Sequence, residues 1–158
     1  MSSLYRFAAL LWFSLFAQIC FADDPEVIVI PSPVDYLTTF DSLESAIVNQ
    51  GLEITKVMNI SAMLSRTAAD LGMTRTVYHQ AESLEFCSAT LSHIMTQADP
   101  ANLTVCPFTI ALYTTADQPD QVYVAYHRPL LLGSGQPLKN ARSAIDKLFT
   151  TLVSEIQP

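Results

Sequence analysis

Cys87 and Cys106 are the side chains best suited to chemistry in the middle of this 158-residue sequence. Two thiols can close a disulfide, exchange electrons or bind a metal. The spacing is not Cys-x-x-Cys. No basic residue flanks Cys87 to favour its thiolate, and Glu85 beside it disfavours the negative charge. A disulfide is therefore the expected state, with a redox-active pair and two free buried thiols as the alternatives. The three histidines, His79, His93 and His127, form neither Cys-x-x-Cys-His nor His-Glu-x-x-His, so covalent haem attachment and the common zinc helix lack their signatures. His93 is the weak candidate for a metal ion or the axial position of a non-covalent haem, against a plain surface histidine. His127-Arg128-Pro129 ends an apolar run, and strand ends often carry sites. Tyr123, His127 and Arg128 are thus the candidate ligand- or partner-facing residues, with Arg128 suited to an anion. Gly133-Ser134-Gly135 precedes Lys139 and Arg142 and invites a phosphate reading. It lacks the full glycine-rich fingerprint, and a flexible link is preferred. No Gly-x-Ser-x-Gly elbow is present, and no residue is assigned a catalytic role.

The elements that must position these groups follow from periodicity. Residues 82–97 read as a helix: Leu84, Cys87, Leu91 and Met95 fall on one apolar stripe with Ile94 beside it, while Glu82, Phe86, Ala89 and His93 form a more polar one. After a turn at Asp99-Pro100, residues 103–113 alternate as a strand. Cys106, Phe108, Ile110 and Leu112 point to the core; Val105, Pro107, Thr109, Ala111 and Tyr113 point away. Residues 121–127 read as its hairpin partner. That puts His127 across from about Pro107, sharing a half-apolar face with Tyr123, Ala125, Thr109 and Ala111. If the helix packs on this sheet, the two sulfurs meet.

The flanking chain supplies further elements. Val27 to Ile30 fits an edge strand or a tether, ended by Pro31 and Pro33. Asp41 is the expected N-cap of a first helix, with Glu44 reaching back, and Gly51 its C-terminal stop. A weak strand over 52–57 follows. Asn59 caps a second helix with Ile60, Met63, Leu64, Ala68 and Leu71 on its apolar stripe, closed by Gly72. Residues 73–79 fit a short strand or a loop. Pro137 suits the first turn of a last helix carrying Leu138, Ala141, Ile145, Leu148, Leu152 and Ile156. The order is helix, strand, helix, helix, hairpin, helix: a two-layer α+β fold with a largely antiparallel sheet and helices packed on one face.

Length points to one domain with a real core. Half of the residues are hydrophobic and 15% charged, which fits a folded chain rather than disorder. Residues 1–22 look like a cleaved signal: Arg6, an apolar run too short to span a bilayer, then Cys20-Phe21-Ala22 before the cut. An uncleaved anchor and a lipid-modified Cys20 are the weaker readings. Residues 23–33 form a lead-in and 34–158 the domain. Cleavage removes Cys20 and Arg6, leaving two of three cysteines and a charge one unit below the whole chain's −7. Such acidity argues against nucleic acid and anionic membrane as partners. An exported protein also favours the disulfide. Asn59-Ile60-Ser61 and Asn102-Leu103-Thr104 match the glycosylation sequon.

Several segments together resemble the DUF302 family of small bacterial domains: Gly51-Leu52-Glu53-Ile54, Glu85-Phe86-Cys87-Ser88, Cys106-Pro107-Phe108, Val122-Tyr123-Val124-Ala125-Tyr126 and Arg128-Pro129. The resemblance spans nearly all of the mature chain. It implies a compact two-layer α+β domain, often dimeric, and no settled activity; the cysteine pair looks like a subgroup feature. The expectation is a periplasmic or secreted binding domain for a small ligand or protein partner, with no cofactor. The alternative is a redox or haem- or metal-carrying protein using Cys87 and Cys106 or His93. A homodimer contact on the second sheet face is the third reading.

Overall fold

Proline and small capping side chains set the entry to the fold. In the computed structural model, which describes residues 26–156, strand β1 (Val27–Pro31) leads into helix α1 (Tyr36–Asn49). The cap of α1 is Asp35, not the expected Asp41. Its carboxylate accepts from the backbone N of Thr38 at 3.0 Å and from the Thr38 hydroxyl at 2.7 Å, which holds it below the usual carboxylate range. Gly51, at φ +72°, stops the helix where expected. Strand β2 (Glu53–Asn59) follows, and Asn59 caps α2 (Ile60–Ala68) by accepting from Ala62 N at 2.8 Å. The helix ends before Leu71, and a turn through Gly72 takes over. The expected signal, residues 1–22, lies outside the described residues.

The largest departure from the sequence reading comes next. Residues Tyr78–Cys87 form strand β3, the longest of the sheet, and α3 spans only Ala89–Ala98. A short 3-10 helix, Pro100–Val105, occupies the start of the expected strand, and β4 begins at Phe108 (Phe108–Thr115). Strand β5 (Tyr123–His127) and helix α4 (Gly135–Ser154) complete the chain.

The five strands form one antiparallel sheet in the order β1-β5-β4-β3-β2. One face buries Leu84, Phe86, Phe108, Ile110, Leu112 and Val124 under Leu43 and Ile47 of α1, Met95 of α3, and Ile145, Phe149 and Leu152 of α4. Phe86, Phe108 and Phe149 meet with ring centroids about 6 Å apart, a geometry that favours tilted and edge contacts. The fold is therefore α+β and two-layered, as expected. Helix α2 has no buried residue and lies against β3 outside this core. Both sheet edges are blunted. Backbone bonds from Arg128 to Glu26 and from Ser32 to Val122 assign the even residues of β1 to β5. Pro31 thus sits where its missing N–H faces outward. On β2 a bulge at Thr55 and the exposed Lys56 interrupt the edge. Among the described residues no helix is long and apolar enough to cross a membrane.

Candidate functional site

Adjacent residues of an extended strand point to opposite faces, and this rule divides the candidate residues at the end of β5. Tyr126 and Arg128 turn toward α4. Tyr126 stacks on Phe149 with centroids 4.4 Å apart and planes 4° from parallel, and Arg128 Nε donates to Asp146 Oδ1 at 3.2 Å. His127 turns the other way, and its Nε2 donates to Glu26 Oε1 at 2.7 Å. The hairpin register places Ile110 across from Tyr126, so His127 falls beside Thr109, two residues from the expected Pro107. Tyr123, Ala125, Thr109 and Ala111 do share a face with His127. Arg128 does not join them, because it is one residue out of phase.

Two clefts open where β5 ends. The larger, about 500 Å³, lies between the β5 exit and α4 and is lined by Glu26, Arg128, Pro129, Leu130, Leu131, Arg142, Ile145 and Asp146. Its volume is in the range of small-molecule sites. Arg142 and Asp146, one turn apart on α4, face the same side. The second, about 360 Å³, wraps the end of the sheet and includes Val105, Pro107, Phe108, His127, Leu130 and Phe149. Pro129 and Leu130 line both, and Leu130 is 77% exposed. The Tyr126 phenol is pushed above its ordinary value of 10.0, first by burial; Asp146 reinforces that shift and Arg128 opposes it. The hydroxyl therefore senses the charges of the first cleft while the ring backs the second.

The other end of β5 is closed on itself. Tyr113 stacks on Tyr123 with centroids 5.4 Å apart, and Tyr78 meets Tyr113 edge-on at 5.5 Å. The Tyr123 hydroxyl donates to Gln118 Oε1 at 3.0 Å. Burial, then the neighbouring Tyr78 and Tyr123, raise the Tyr113 phenol. The three rings thus pack on one another, one pair stacked and one pair edge-on.

The loops around the clefts are held by groups that sequence reasoning missed. Asn102, read only as a sequon, is 2% exposed. Its Nδ2 donates to Met95 O at 2.9 Å and Leu132 O at 3.1 Å, and its Oδ1 accepts from Leu132 N at 2.8 Å. A glycan on this nitrogen is incompatible with the fold. Gly133, read as a flexible link, has φ +111°, and an added Cβ would stand 2.5 Å from Ala98 O. The link is a tight approach between the α3 end and the loop into α4. Asn102 carries a weak sequence signal: it sits two residues after Pro100 in a turn capped by Asp99, whose Oδ1 accepts from Ala101 N at 2.8 Å.

Cys87 and Cys106 are joined by a disulfide with Cα atoms 6.1 Å apart. Cys87 is the last residue of β3, not part of a helix, and Ser88 after it caps α3 by accepting from Leu91 N at 3.3 Å. Cys106 caps the 3-10 turn, and its bond to Pro107 is cis. The bridge thus ties the end of β3 to the entry of its neighbour β4, beside the second cleft. His93 is exposed on α3, and His79 is exposed on β3 rather than at a helix start. Among the described residues no three His, Cys, Asp or Glu side chains gather as a metal site.

The family model described as a domain of unknown function, DUF302, matches residues 28–154. A solved structure, that of an uncharacterized conserved DUF302 protein from Bacillus stearothermophilus, superposes with a TM-score of 0.68 over 85% of this chain and 100% of that one. At 13% identity the likeness is one of fold. A search of curated proteins finds no match. With a matching sheet and helix layer and a family match running from β1 to the last residue of α4, the chain belongs to the DUF302 family.

Proposed function

We propose that the chain is an exported, disulfide-stabilised binding domain that holds a small ligand in the cleft between the β5 exit and α4. The observation that carries this reading is the pair of guanidinium groups, Arg128 and Arg142, lining a cleft of about 500 Å³ on a protein of net charge −7. Cations are scarce here, and two of the eight converge on one concavity. The disulfide and the signal-like residues 1–22 support export, since oxidising compartments preserve such bridges. No catalytic role is assigned to any residue. The redox or cofactor-carrying alternative draws on Cys87, Cys106 and His93, and has less support: among the described residues no metal-binding group of side chains includes His93, and no basic residue flanks Cys87.

A second reading has its own observation. On the sheet face away from the core, Val27 and Val29 are exposed beside half-buried Ala125 and Tyr123, an uncovered apolar strip that suits a protein surface, including a second copy. The two readings separate by mass. Protein isolated from its native envelope is weighed under native and denaturing conditions. Ligand binding predicts a small adduct in the native spectrum alone, lost in Arg142→Gln. A spectrum showing only doubled mass, unchanged in Arg142→Gln, would transfer the function to the open face.

A further inference from the structure

The two clefts at the β5 exit differ in chemistry and share a wall. The first carries Arg128, Arg142, Glu26 and Asp146. Two of its charges are already engaged: Asp146 by Arg128, and Glu26 by His127 from the far side of the sheet edge. Arg142 makes no ion pair among the described residues, so its guanidinium is left to meet an incoming anion, and Lys139, one turn before it on α4, adds a second cation to the same stretch of helix. The second cleft is mostly hydrocarbon: Val105, Pro107, Phe108, Leu130, Pro129 and Phe149 line it together with Thr104, Thr109 and His127. Only the Pro129-Leu130 step separates the two. The Tyr126–Phe149 stack runs behind that step, its phenol at the charged end and Phe149 at the apolar end.

Leu130 adds a second observation. A leucine 77% exposed at the lip of two clefts is costly to leave in water, at roughly 25 cal/mol per Å² of apolar area. It is not there through looseness of the backbone, since Asn102 clamps Leu132 from both its N–H and its C=O and Gly133 abuts Ala98. The loop is fixed with its leucine outward, between a charged cavity and an apolar one.

We infer that the joined clefts take a single-chain amphiphile: an anionic head between Arg128 and Arg142, and an alkyl chain crossing Leu130 into the cleft of Val105, Phe108 and Phe149. Guanidinium groups recognise carboxylate and phosphate alike, so the head is one or the other. This inference rests on the reading that the first cleft binds a ligand, and goes beyond it in naming the class.

Calorimetric titration of the intact, oxidised protein tests it, each probe below its micelle-forming concentration. The probes are decanoate, decyl phosphate, decyltrimethylammonium, acetate and inorganic phosphate. Decanoate or decyl phosphate binds, and the tighter of the two identifies the head. Acetate, inorganic phosphate and the cationic amphiphile bind at least tenfold more weakly. Arg142→Gln and Leu130→Asp, both at exposed positions that leave the core intact, each weaken the anionic amphiphile at least tenfold, while Arg66→Gln on α2 leaves it unchanged. Equal binding of the cationic amphiphile, or no loss in either cleft variant, overturns the inference. Failure of all five probes, with a native adduct still lost in Arg142→Gln, overturns the amphiphile and leaves the ligand cleft standing.

Discussion

The two ends of β5 are built to different purposes. At the Tyr123 end, polar and aromatic groups satisfy one another: Tyr123 stacks on Tyr113 and bonds to Gln118, and Tyr78 closes the row. At the His127–Arg128 end, side chains of comparable size surround space. Arg128 and Arg142 line one cleft, Phe149 and Leu130 the other, and the enclosing loop is clamped by a buried amide and a disulfide. Self-satisfied side chains stabilise a fold. Charged side chains held around a cavity by rigid loops are what a binding site needs, because a preorganised site avoids the cost of ordering itself around the ligand.

The comparison can be broken by removing what holds the open end. The largest expected effect is from the disulfide. Cys87→Ser with Cys106→Ser should cost about 3 kcal/mol of unfolding free energy through loop closure, read by urea denaturation against the oxidised parent. Reduction of the parent should reproduce the loss. Asn102→Ala comes next, at about 2 kcal/mol, because it removes the buried hydrogen bond to Met95 O and the part-buried pair to the N–H and C=O of Leu132. Proton resonances of the Leu130–Leu132 segment should broaden in that variant while those of Tyr113 and Tyr123 stay put.

A pH titration sharpens the contrast from both ends. The phenols of Tyr113 and Tyr126 are raised above the ordinary 10.0 by burial. A raised phenol means that the folded state holds its proton more tightly than the unfolded state. The contribution is therefore fully present below pH 10 and is lost as the pH rises above it through the folded values. Tyr113→Phe and Tyr126→Phe should each flatten the alkaline decline in a stability-versus-pH series. Only Tyr126→Phe should alter ligand affinity. The smallest effect belongs to Tyr123→Phe, which loses one exposed hydrogen bond to Gln118 and should change stability by no more than about 0.5 kcal/mol.

How far the sequence carried depended on whether local signals agreed with tertiary packing. Gly51, Asn59 and the last helix read correctly because cap chemistry and apolar spacing pointed the same way. The β4 core face, Phe108, Ile110 and Leu112, read correctly because its alternation is clean. The β3 strand was missed for a physical reason. Ala81, Glu82, Ser83, Leu84 and Glu85 include good helix formers, and Leu84, Cys87, Leu91 and Met95 happen to recur at helical spacing across a strand–helix junction. Glu82 hides the alternation further. It sits on the same side as Leu84 and Phe86, but at the margin of the core, where it accepts from Tyr36 Oη at 3.4 Å and Asn59 Nδ2 at 3.3 Å. The right cysteine pair was thus reached with Cys87 on the wrong kind of element. Asp41 is not the cap because the helix begins six residues earlier, at Tyr36 right after the Pro33 turn, and Asp35 takes that role. Tyr123 and His127 share a sheet face, as the alternation predicts, and Arg128 lies on the other. The cleft itself was illegible, since it needs Arg142 and Asp146 of α4 brought against Arg128.

Chemical-shift mapping tests the central claim most directly. Labelled protein is titrated with the low-molecular-mass fraction released from native protein by denaturation. The account predicts shifts concentrated at Arg128, Leu130, Arg142, Ile145 and Asp146, with Tyr113 and Tyr123 unmoved. Shifts confined to the tyrosine row and β1, or none at all, would contradict it.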